Sequence, residues 1–160
     1  MVLGIGNLLL GDEGAGVQAV TALQERYSFP DNVSFIDGGT MGLDLLPFIE
    51  GSDRLLIIDA VDFNAPPGTV GVIEGKDLKA FLDTKLSVHQ IGLPDMLFAA
   101  AFTGIVPPEL CLVGIQPGTI ETGLQMTEKL KENFQALLDA ALERLAEWGA
   151  GATNVHCNTV

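Results

Sequence analysis

The run Leu55-Leu56-Ile57-Ile58 carries no polar residue at alternate positions, so a strand built from it has no face to give to water. Such a strand belongs in the middle of a parallel sheet covered on both faces, and it delivers Asp59 at its C-terminal end. The segments around it repeat one grammar. Val2-Leu3-Gly4-Ile5-Gly6 is a short buried strand, followed by a loop over 7–11. A helix over 13–27 then places Val17, Val20, Leu23 and Tyr27 at helical spacing, with Asp12 as its N-cap.

Pro30-Asp31-Asn32 turns the chain into a second strand over 33–36, which ends in Asp37-Gly38-Gly39-Thr40 before a short helix over 43–49. Further strands are expected over 69–73 and 110–115, separated by a loop carrying His89 and a helix begun at Pro94. The last helix, over 123–148, repeats Met126, Leu130, Phe134, Leu137, Ala141, Leu145 and Trp148 at spacings of three and four. Strands alternating with helices need crossovers, and right-handed crossovers cover both faces of the sheet. The expected fold is an α/β protein, a three-layer α/β/α sandwich with a mostly parallel twisted sheet of about five strands. One peptidase-sized domain over 1–148 and a flexible C-terminal tail over 149–160 complete the organisation.

Composition narrows what such a domain can bind. With 21 acids against 8 bases and a formal charge of -13, the surface repels phosphate backbones and attracts cations, so nucleic-acid binding is disfavoured. No apolar run approaches the roughly 18–20 residues of a membrane span, and no signal peptide opens the chain. Of the two cysteines, Cys111 lies in an apolar run and Cys157 in a polar tail, which argues against a disulfide framework and for reduced thiols. A cytoplasmic protein without membrane association is expected.

Acids fall at or just after each strand end: Asp12 and Glu13, Asp37, then Asp59 and Asp62. Ligands of open parallel sheets bind beyond the strands' C-terminal ends, so the topology gathers these carboxylates along one edge. His89 is the only histidine outside the tail and hence the imidazole available to such a cluster. Carboxylates with an imidazole suit Zn, Ni, Fe or Mn. Each residue also has a plain structural reading. Glu13 favours the first turn of a helix through the dipole, His89 suits a hydrogen-bonded loop, and only Asp59, directly after four buried aliphatics, is costly without a partner.

Rival chemistries fail on spacing. Gly4-x-Gly6 after a strand invites a dinucleotide reading, but position 9 is Leu and Asp12-Glu13 would set negative charge where a pyrophosphate must approach. No serine lies in a GxSxG elbow, and no HExxH or GxxxxGK[ST] string occurs.

The string Gly4-Ile5-Gly6-Asn7-Leu8-Leu9-Leu10-Gly11-Asp12-Glu13-Gly14-Ala15-Gly16 resembles the N-terminal signature of the hydrogenase maturation proteases. The resemblance continues through Asp37-Gly38-Gly39-Thr40, Ile58-Asp59-Ala60-Val61-Asp62, Ser87-Val88-His89-Gln90 and Leu112-Val113-Gly114-Ile115-Gln116-Pro117, covering about 2–145. It implies that Glu13, Asp59 and His89 bind metal, that Asp59, Glu13 and, below them, Asp37 serve catalysis, and that Gly38, Gly39 and Thr40 shape a substrate loop. It further implies an endopeptidase that removes the C-terminal extension from the precursor of a nickel-iron hydrogenase large subunit after nickel insertion. Nickel would come with the substrate, and Zn or Cd could fill the same donors in vitro. A monomer is expected, since no isologous interface is apparent. The alternative is a non-catalytic nickel-sensing or assembly factor using the same acidic site.

Overall fold

The computed structural model describes residues 1–84 and 92–155. The strands are β1 (Val2–Ile5), β2 (Tyr27–Ser28), β3 (Phe35–Gly39), β4 (Arg54–Ala60), β5 (Val70–Glu74), β6 (Glu109–Ile115) and β7 (Thr153–Asn154). The helices are α1 (Ala15–Arg26), α2 (Leu46–Ile49), α3 (Gly75–Thr84), α4 (Leu93–Thr103) and α5 (Glu128–Glu147). Single 3-10 turns at Gly11–Gly14 and Gly42–Leu45 lead into α1 and α2.

The main sheet has five strands in the order β3-β1-β4-β6-β5, with β1, β3, β4 and β6 parallel and β5 antiparallel at one edge. The run that fixes the architecture is the sheet's central strand, and Leu55, Leu56, Ile57 and Ile58 are all fully buried. Its side chains alternate between two cores. Leu56 and Ile58 join Val20, Leu23, Leu137 and Leu138 under α1 and α5, whereas Leu55 and Ile57 join Leu45, Ile49, Met96 and Ala100 under α2 and α4. Three layers follow directly from this division, as the sequence leads one to expect.

Several local expectations are corrected. Asp12 does not cap α1: Gly14 holds the N-cap position without a side-chain bond, and a 3-10 turn occupies the place of the helix's first residues. Helix α3 lies where the sequence suggests only loop; among its described side chains Leu78 and Phe81 face the core. Helix α5 begins after Thr127 rather than at Gly123, whose backbone is drawn into a bridge with Leu10. Part of the expected tail is ordered, since Thr153 and Asn154 pair antiparallel with Ser28 and Tyr27.

Candidate active site

A cleft of about 410 Å³ opens beyond the C-terminal ends of the parallel strands. Its walls include Gly6 after β1, Glu13 from the 3-10 turn, Gly39 at the end of β3 and Thr40 after it, Asp59 in β4, and Pro117 after β6. On the α4 side it is closed by Gly92, Leu93 and Met96. Glu13, Asp59 and Asp62 therefore share one cleft, as their strand-end positions imply. Asp37 stands outside the lining on the exposed side of β3, where its Oδ1 accepts a bond from Gly39 N at 3.0 Å and shapes the loop that does reach the cleft. Gly38 is buried behind that loop. His89 lies outside the described residues, as do His156 and Cys157.

Two glycines bring Glu13 to Asp59. Gly6 has φ +133, and a Cβ there would sit 1.8 Å from the carbonyl oxygen of Glu13, so the chain folds back on β1 only because position 6 has no side chain. At Gly16 a Cβ would lie 2.1 Å from Ile58 O and 2.4 Å from Ile5 O, so α1 rests directly on the ends of β1 and β4. The spacing of the glycine-rich string is thus the means by which a carboxylate from a turn meets one from the central strand.

The electrostatics of the pair are those of acids in a poorly solvated place. Burial pushes the Asp59 carboxyl well above the ordinary range; the Ala60 backbone N–H draws it part-way back, and the negative charge of Glu13 raises it further. Burial also raises Glu13. Glu13 Oε2 is buried and accepts no hydrogen bond from the described residues. A buried carboxylate oxygen without a donor, beside a second carboxylate, is stabilised by a cation. Among the described residues no three His, Cys, Asp or Glu side chains gather as a metal group. Asp62 is engaged otherwise, its Oδ1 accepting bonds from Asn64 N at 2.9 Å and Gln116 Nε2 at 3.3 Å.

A larger cavity of about 870 Å³ lies elsewhere, between α3, α4 and the end of α5, lined by Leu78, Leu97, Phe98 and Trp148 beside the first residues of β6. Size does not make it the reactive site. It sits at the far end of β6 from Gly114, the register partner of Asp59, and contains neither perturbed carboxylate.

Comparison with known proteins decides the family. The model described as "Hydrogenase maturation protease" matches residues 17–144. The chain belongs to the hydrogenase maturation protease family. Among its relatives, the Hydrogenase 2 maturation protease of Escherichia coli (strain K12) is 40% identical over 153 residues, covering 95% of this chain and 93% of the relative. The hydrogenase expression/formation protein HupM of Azotobacter chroococcum mcd 1 is 45% identical over 155 residues, 96% of this chain and 74% of the relative. The solved structure of the hydrogenase maturating endopeptidase HybD from E. coli superposes with a TM-score of 0.89 at 39% identity, covering 98% of both chains. The protein is accordingly a peptidase with the fold of the maturation proteases.

The role of one residue beside the maturation protease's site escapes sequence reasoning. Asp12 is fully buried, and its carboxylate accepts bonds from Gly118 N at 2.8 Å, Thr127 N at 2.6 Å, Thr127 Oγ1 at 2.9 Å and Thr119 N at 3.3 Å. It ties the turn that carries Glu13 to the loop that carries Pro117 and Ile120, both of which line the cleft. The only signal for it in the sequence is its adjacency to Glu13, which does not say which acid faces inward.

Proposed function

We propose that this protease makes a single cut near the C-terminus of the large-subunit precursor of a nickel-iron hydrogenase, after nickel has been inserted. Glu13, Asp59 and His89 engage nickel carried by the precursor, and that contact orients the scissile peptide. The observation that carries this reading is the buried Oε2 of Glu13, which accepts no hydrogen bond among the described residues, in one cleft with Asp59. Oxygen donors with an imidazole suit nickel, and Zn or Cd would be held by the same groups in vitro. Burial raises the Asp59 carboxyl above the ordinary range, so its ionised form is a stronger base than an ordinary carboxylate, which suits aspartic-type chemistry in which it accepts a proton from the attacking water. Asp37, through Gly39, fixes the loop Gly38-Gly39-Thr40 against which the substrate lies.

The enzyme acts as a monomer in the cytoplasm, a setting that suits its buried free thiol Cys111 and its acidic surface. No helix among the described residues is long and apolar enough to cross a membrane. The test is to mix purified enzyme with nickel-loaded precursor and weigh the products, with nickel-free precursor as control. Loss of a C-terminal peptide from the loaded form alone is expected. Equal cutting of both forms would remove nickel recognition, and an intact mass for both would remove the substrate assignment.

A further inference from the structure

The loop 7–11 and the loop 118–127 are fastened together along one side of the cleft. Gly11 N donates to Gly123 O at 2.8 Å, Gly123 N donates to Leu9 O at 2.9 Å, and Asp12 pins Gly118, Thr119 and Thr127 from beneath. Asn7 closes the first loop on itself, its Oδ1 accepting from Leu9 N at 2.9 Å. On this fixed backbone stand Leu8, Leu9, Ile120 and Leu124, at 43%, 61%, 57% and 73% exposure. Leu8 lies over Gly14, next to Glu13, and Ile120 lines the cleft itself. Aliphatic side chains left in water on a frayed loop are ordinary; four on a doubly hydrogen-bonded rim that runs into a reactive cleft form a surface prepared for an apolar partner.

We infer that this rim docks the substrate polypeptide next to its scissile bond, gripping apolar side chains of the precursor while Glu13 and Asp59 face the reacting end. The inference rests on the function proposed above and adds what the enzyme reads besides nickel. Within 7–11 there is no charged side chain and within 118–127 only Glu121, so the contact selects apolar rather than charged sequence. A second copy of this chain fits less well. Rim-to-rim pairing would bring two clefts lined by Glu13, Asp59 and Asp62 together, in a protein of formal charge -13.

The test is steady-state cleavage of nickel-loaded precursor by the wild type and by the variant Leu9→Ser with Leu124→Ser. Loss of the contacts that these two exposed leucines make with the substrate is expected to raise KM about tenfold while kcat changes less than about twofold. The pair L9M/L124M should restore KM, and L9Q/L124Q should repeat the rise, which covers the case in which serine disturbs folding. Unchanged KM in both polar pairs, with the wild type cutting normally, overturns the rim but leaves the function standing. A wild type that leaves the precursor whole removes both. A wild-type dimer in sedimentation that the serine pair dissolves assigns the rim to self-association and overturns substrate docking.

Discussion

Asp59 is reached from the sequence because of what precedes it: four aliphatics without a polar break put any following acid at the rim of a core. The structure adds that it shares its cleft with Glu13 and holds its proton well above the ordinary carboxyl range through burial. The consequence for stability has a definite sign. Below the ordinary carboxyl pKa, about 4, the folded and unfolded chains are both protonated at this position. As pH rises the unfolded chain ionises first, so the stability lent by the retained proton is lost as pH climbs through the folded value. Asp59→Asn, which cannot ionise, is therefore expected to melt about 3 °C above metal-free wild type near neutral pH. The gap should close toward about pH 4. Circular-dichroism melts across that range check this, and a gap independent of pH would remove burial as the cause. Asp12 was not legible in the same way, because its partners at Gly118, Thr119 and Thr127 lie far along the chain and nothing local announces them.

At the scale of elements, strands were easier to read than helix ends. The middles of β4 and β6, residues 55–58 and 110–115, carry no polar side chain and are enclosed on both sides, so hydrophobicity alone marks them. The start of α5 was placed too early because the apolar spacing runs back to Met126, while the backbone at Gly123 and Thr127 is claimed by Leu9, Gly11 and Asp12. Tertiary hydrogen bonds, not propensity, set that boundary. The same bonds predict a mutant. Asp12→Ala removes the buried carboxylate to which Gly118 N and Thr127 N donate, and a loss of roughly 3 kcal/mol in urea unfolding is expected. A change below about 0.5 kcal/mol would mean that the two loops are held by other contacts. Helix α3 is harder to read for the opposite reason: among its described side chains the core takes Leu78, with the Phe81 ring 6.2 Å from that of Phe63.

Across the whole molecule, the three layers and the strand order collect the carboxylates at one end of the sheet, whereas the greater apolar cavity opens elsewhere. The parallel order explains why widely separated acids converge, and the glycine-rich string explains how closely α1 can bring them. What the sequence could not convey was the apolar rim, since nothing local says that Leu8 and Leu9 and the distant Leu124 stand exposed beside one another. Family membership makes the chain a peptidase; the proposal that Asp59 is the residue on which the cut depends is the part most directly open to attack. Nickel-loaded precursor is incubated with the Asp59→Ala enzyme, shown by circular dichroism to be folded, and the precursor's mass is followed over time. It is expected to stay intact while wild type removes the C-terminal peptide; release of that peptide by Asp59→Ala at the wild-type rate would take Asp59 out of the active site.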